Sequence, residues 1–193
     1  MVPQSLGAGQ NAHVRFGIRS FVYERRRPFS SSRLHTLLRS WPLLASICDS
    51  FVLQDLSIDD DTDVAEIKAA LNVGLDSMEA EAQAVILRTV KPILRSKGFC
   101  WVTAEPLKRH EWSHAGRSLG ISPDSWWWSV LKEDQLNFQL SYPGATPEYE
   151  RVKVEQWHDR WGDRRQELIF IGGPDMSESS ITSILDACLL TDH

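Results

Sequence analysis

Hydrophobic and polar positions alternate from Val14 to Ser20, with Arg15, Gly17 and Arg19 as the polar partners, and Phe21-Val22-Tyr23 continues the run. Period-two alternation predicts a strand over Val14–Tyr23. Pro28, after Glu24-Arg25-Arg26-Arg27, has no N–H to give a ladder and closes it. Ser30, Ser31 or Ser32 then offers an N-cap to a helix with Leu34, Leu37, Leu38 and Trp41 at helical spacing, ended by Pro42. Asp49–Asp63 is acidic around Asp59-Asp60-Asp61 and reads as a solvated loop. An EF-hand needs a glycine at its sixth position and a glutamate at its twelfth, and no frame here supplies both.

Two helical tracts follow, one with Val64, Ile67 and Leu71, the other with Met78, Ala82, Val85, Ile86, Ile93 and Leu94, kinked at Pro92. Gly98–Thr103 reads as a buried strand, Trp112–Ile121 as a weaker one, Leu136–Tyr142 as a short alternating strand, and Glu148–Trp161 as a helix. Glu167–Gly172 is apolar enough for a strand buried on both faces. Gly173-Pro174 turns it, and Asp175 with Glu178 makes a capping-box-like start. The last helix carries Ile181, Ile184, Leu185, Cys188 and Leu189 as one apolar stripe.

The chain has 193 residues, enough for about one domain with its own core. With 21 basic and 26 acidic side chains its net charge is −5, which lacks the footprint of a nucleic-acid binder. Cys48, Cys100 and Cys188 are too few and too scattered for a disulfide framework. Arg39, Pro42 and Asp49 interrupt the most apolar window, so no membrane span is expected. The expected location is cytoplasmic, with the nucleus as the alternative.

Candidate chemistry is sparse. None of the eleven glycines is followed by lysine, so no P-loop exists in this sequence. Gly7–Ala12 spells G-x-G-x-x-A without a strand before it. His110-Glu111-Trp112-Ser113-His114 spells H-E-x-x-H, which on a helix puts two imidazoles on one face to hold zinc, with Glu133 nominable as a third ligand. Gly116 and Gly120 follow too closely for a catalytic helix, so a structural role for both histidines is preferred. A zinc-dependent hydrolase is the enzyme-class alternative, and a zinc-binding module using scattered His and Cys the third. Arg25-Arg26-Arg27 and Arg164-Arg165 could meet phosphate, or pair with carboxylates such as Asp163 and Glu167. Trp126-Trp127-Trp128 is a stacking platform or a buried aromatic cluster; if extended, the three cannot all face one core.

The segments Gly162–Gly172 and Leu185–Asp192 resemble the signature strand and closing helix of the CobW C-terminal domain. Arg27-Pro28-Phe29 with Arg33-Leu34, Arg95–Trp101, Trp112–Gly116 and Trp126-Trp127 match in the same order. The resemblance implies an α+β fold, a compact two-layer domain with a small, largely antiparallel sheet packed by helices. It places this domain at 14–192, after a flexible linker remnant at 1–13, with an expanded acidic and helical insert at about 49–90. It further implies a stand-alone, non-catalytic interaction or regulatory module of a GTP-dependent zinc or cobalt chaperone. The partners would be a client metalloprotein or a separately encoded CobW-type GTPase domain, with neither nucleic acid nor membrane. The family's Cys-x-Cys-Cys and Gly-Lys motifs have no counterpart here, so no cofactor, metal or catalytic residue is carried over. Ser30 stands where many members have histidine. The expected partner-facing residues are Gly162, Asp163, Arg164, Arg165, Trp126 and Trp127.

Overall fold

The computed structural model describes residues 17–41, 44–47 and 80–191, with 44–47 and 80 by backbone alone. β1 (Arg19–Arg25) passes through Pro28 into α1 (Ser31–Arg39), and Leu44–Ile47 forms β2. Then come α2 (Ala80–Val90), β3 (Ile93–Cys100), β4 (Lys108–Ala115) and β5 (Ser118–Trp126). A 3-10 turn at Trp128–Val130 leads to α3 (Glu133–Leu140), α4 (Ala145–Glu155), β6 (Gln166–Gly172) and α5 (Glu178–Asp186). The strands lie in the order β1-β6-β3-β4-β5-β2. Every neighbouring pair is antiparallel except β2 with β5. The architecture is the expected α+β one.

Strand pleating sorts side chains by face, because successive residues point to opposite sides. Through the register, Tyr23, Leu168, Gly98, Trp112 and Ile121 form one row across the inner face, with Phe21, Phe170, Ser96, His114 and Leu119 beside it. Leu34, Leu37 and Leu38 of α1 and Ile181 and Leu185 of α5 bury against these rows in a single core. Trp112, fully enclosed, lies opposite Gly98 and donates from its indole N–H to Ser96 Oγ at 2.8 Å. Gly98 has φ +152°, and a Cβ there would come within 2.0 Å of the Glu167 carbonyl oxygen, so β3 needs glycine where it meets β6.

Several expectations shift. The structure describes the first strand from Arg19 to Arg25, and Val14–Phe16 lie outside the described residues. Its buried phase is Phe21 and Tyr23, while Val22 is half exposed. Helix α1 and its serine cap are as expected: Ser30 Oγ accepts from the Arg33 N–H. Pro92 does not kink a helix but separates α2 from β3, because a proline disfavours helical backbone in the residue before it. The single strand at Trp112–Ile121 is a two-strand hairpin turned at Gly116, φ +60°. Leu136–Tyr142 is not a strand: Leu136–Leu140 belongs to helix α3, Ser141 caps it and Tyr142 lies beyond. The helix at Glu148–Trp161 is instead Ala145–Glu155, with Trp157 and Trp161 beyond its end. Strand β6 is buried on one face only, since Ile169 is 44% exposed between the buried Leu168 and Phe170. Ser177, not Asp175, caps α5, accepting from the Ser180 N–H. The 1–13 segment and residues 48–79 of the insert lie outside the described residues.

Candidate functional site: an arginine–tryptophan corner

The H-E-x-x-H segment lies on β4, not on a helix. His110 and His114 share the inner face but are four strand residues apart, which separates their Cα atoms by about 13 Å. Trp112 fills the space between them, and Glu111 points to the other face, where it pairs with Lys97 at 3.4 Å. His110 Nε2 donates to Glu105 at 2.9 Å, and His114 Nε2 to the Gly116 carbonyl at 3.1 Å. Burial alone would raise the Glu105 carboxyl, but hydrogen bonds from Lys108 and His110 hold it below its usual range. Burial pushes the Cys100 and Cys188 thiols up to about 12, so both stay protonated, whereas a metal takes the thiolate. Among the described residues no three His, Cys, Asp or Glu side chains are placed to hold a metal ion. Among the described residues, therefore, neither the zinc hydrolase on His110, Glu111 and His114 nor a scattered His/Cys zinc site finds its geometry; His13, Cys48 and His193 lie outside them. His110 and His114 are core polar groups.

The segment leading into β6 is different. Gly162 adopts φ +61° and sits so close to the 3-10 turn that a Cβ would fall 2.1 Å from Ser129 Cβ. The next residue, Asp163, is buried, and its carboxylate accepts from the Trp128 and Ser129 N–H groups, each at 2.9 Å. These are donors at the start of a helical turn, where a carboxylate is the natural cap. Arg165 reaches Glu167 at 2.7 Å and the Asp163 carbonyl at 2.9 Å, and stacks on Phe99. Trp127 packs edge-on against the same Phe99 ring. Gly162, Asp163, Arg165 and Trp127 are thus brought together, mainly to fasten the turn to the sheet.

Arg164 and Trp126 are not part of that joint. Arg164 lies over Trp101 and Trp161, with its Nε donating to the Trp161 carbonyl at 3.0 Å. Trp126 is 48% exposed and faces a separate groove with Arg109, Asp124 and Tyr142. Trp128 packs at a tilt on Tyr149 of α4, so the three tryptophans take three different surroundings; the run is not extended throughout, since β5 ends at Trp126 and Trp128 opens the 3-10 turn.

Beside Arg164 opens a groove of about 680 Å³. Pro28, Trp101, Pro106, Trp161 and Leu190 supply its apolar lining, and Arg25, Arg26, Arg27 and Arg160 its cations. The buried Gln166 carries its wall. Its amide donates to the Arg27 and Trp101 carbonyls, each at 2.8 Å, and its oxygen accepts from the Trp101 N–H at 3.0 Å. Arg25 is neutralised by Asp186 in a two-pronged pair at 2.8 and 2.9 Å, which holds its guanidinium above the usual range. Tyr23 donates to the same carboxylate at 2.9 Å; its hydroxyl is raised by burial and then by Asp186. Arg26 instead reaches, among the described residues, the carbonyls of Gly162 and Gln156; burial and then the nearby Arg165 lower it, against the carboxylates of Glu24, Asp163 and Glu167. Arg160 lies 4.4 Å over Trp161. Sequence reasoning named the Arg25–Arg27 cluster but missed Arg160, Trp161 and Gln166. The available signal was the Arg160-Trp161-x-x-Arg164 spacing.

The mixed six-stranded sheet, with helices packed on it and a glycine–aspartate joint entering β6, defines an α+β domain. The chain belongs to the family described as the cobalamin synthesis protein cobW C-terminal domain, whose pattern matches residues 75–189. It is 32% identical over 179 residues to the zinc-regulated GTPase metalloprotein activator 1 of Dictyostelium discoideum. That alignment covers 93% of this chain and 26% of the relative, so the chain spans about a quarter of the relative's length. Two crystal structures of the YjiA GTPase, Zn(II)-bound from E. coli and a Zn(II)-bound triple mutant, align with TM-scores of 0.42 and 13% identity. Each alignment covers 90% of this chain and 30% of the other.

Proposed function

We propose that this chain is a non-catalytic interaction and regulatory module of a GTP-dependent zinc chaperone system, acting in the cytoplasm or nucleus. Its partners are a client metalloprotein or a CobW-type GTPase domain. The observation that carries the reading is kinship along 93% of the chain with a protein named as a zinc-regulated GTPase metalloprotein activator. Support comes from the sequence, which has neither the Gly-Lys of a P-loop nor a Cys-x-Cys-Cys metal motif. The arginine–tryptophan corner adds a surface suited to contact rather than turnover. The test is reconstitution. The purified chain alone is expected neither to bind nor to hydrolyse GTP, whereas adding it to a GTPase domain of this family raises GTP-dependent zinc transfer to an apo client enzyme. GTP turnover by the chain alone, or zinc transfer indifferent to its presence, overturns the proposal.

A further inference from the structure

We propose that the groove between Arg26 and Trp161 docks an acidic segment of a partner protein, one with a bulky apolar residue flanked by carboxylates. The inference rests on the interaction role proposed above and adds the chemistry of the partner.

The argument begins with which arginines are already satisfied. Arg25 is paired with Asp186, and Arg165 with Glu167. By contrast, Arg26, Arg160 and Arg164 meet only backbone carbonyls and indole rings among the described residues. A guanidinium stays charged at any physiological pH, and its planar fork matches a carboxylate. On a chain of net charge −5, three guanidiniums with no paired carboxylate among the described residues gather at one corner, against the overall sign, although Glu24, Asp163 and Glu167 act on Arg26 from farther off. Like charges held together repel, and an arriving anion relieves that repulsion.

The apolar lining narrows the anion. Pro28, Pro106 and Leu190 offer nothing to a phosphate but reward burial of an aliphatic or aromatic side chain. A nucleobase would need an open ring face. Trp101 is only 3% exposed, while Trp161 already carries Arg160 at 4.4 Å and Trp101 at 5.5 Å. Stacking of the kind that binds single strands therefore has no platform here. What remains is a peptide with both features, carboxylates for the rim and an apolar anchor for the lining.

The test is fluorescence anisotropy with the whole chain and a fluorescein-labelled peptide carrying glutamates on both sides of a single leucine. Saturable binding is expected, weakened about tenfold or more by Arg160→Glu, and as much by replacing the peptide's glutamates with glutamines. Arg160 is exposed and its substitution leaves the core untouched. Arg88→Glu on α2 makes the same charge change on an exposed residue away from the groove, and is expected to alter binding by less than about twofold. Absence of saturable binding, equal binding of the glutamine peptide, equal effects of the two charge reversals, or preferential capture of a single-stranded oligonucleotide each overturns the inference. A chain that stimulates zinc transfer but fails this assay would lose only the groove. One that binds the peptide but leaves zinc transfer unchanged would lose only the wider role.

Discussion

The inner face of the sheet and the arginine–tryptophan corner use the same kinds of side chain to opposite ends. On the inner face, most enclosed polar groups are matched: Trp112 with Ser96, His110 with Glu105, Gln166 with two carbonyls and an N–H. At the corner, Arg160 and Arg164 lie against indoles, and Arg26 and Arg164 donate to carbonyls, with no carboxylate paired to any of the three among the described residues. An unmatched polar group is expensive inside and cheap at the rim, where water can reach it. Whether a histidine or an arginine is structural or available for contact is thus decided by where the fold puts it. Residue type alone does not decide it.

The comparison is broken most severely at the joint between the regions. Gly162→Ala would strain a left-handed backbone and drive a methyl into Ser129. Those two costs together are expected to remove about 3 kcal/mol of stability. Urea denaturation checks it. A loss below about 1 kcal/mol would mean that the loop slides freely and that the corner is not anchored as described.

How much of this was legible in the sequence depends on how much each segment buries. Helix α1, strand β6 and helix α5 were readable because most of their apolar residues answer to one core. Helix α3 was not. Leu136, Phe138 and Leu140 alternate as a strand would, but the helix buries none of its residues, and Phe138 is 61% exposed. With no core to face, the positions of its apolar residues carry no information about period. Strand β6 misled in a smaller way, since an unbroken apolar run suggests two covered faces while Ile169 looks outward. The joint was half legible. Gly162 and Asp163 could be picked out, but the cap that Asp163 provides lies 34 and 35 residues away in the chain. The groove was least legible, because Arg26, Trp101, Trp161 and Leu190 come from separate stretches that only the fold brings together.

A gentler perturbation sharpens the inner-face side. His114 donates from Nε2 to the Gly116 carbonyl, so a second proton would have to enter at Nδ1, a buried atom with no partner among the described residues. Burial holds this imidazole below its ordinary value, opposed by the bond to Gly116. The unfolded chain therefore takes up a proton on acidification before the folded one does. Its contribution to stability is intact above the unfolded value near 6.5 and is lost as pH falls through the window down to the folded value. The wild type is expected to weaken between pH 7.5 and 5.5 with a slope from this residue no steeper than about 1.4 kcal/mol per pH unit. His114→Gln is expected to start less stable and to lose less over the same interval. Parallel curves from urea melts at the two pH values would place the acid sensitivity elsewhere, for instance at Glu105, whose lowered carboxyl acts in the same direction at lower pH.

The smallest effect is expected at Trp126. The neighbouring Trp127 is buried against Phe99, while Trp126 itself is 48% exposed beside Arg109 and Asp124. About half of its surface stays in water and it lies outside the core, so its removal opens no cavity there. Trp126→Ser is therefore expected to change stability by no more than about 0.5 kcal/mol in urea denaturation. It should also leave binding of the glutamate–leucine peptide unchanged, because the side chain lies outside the groove lined by Arg26 and Trp161. A large loss of stability would mean that the indole packs more deeply than its exposure indicates. Weakened peptide binding would show that the two grooves act as one surface, and that the contact region extends from the arginine corner across the end of the β4–β5 hairpin.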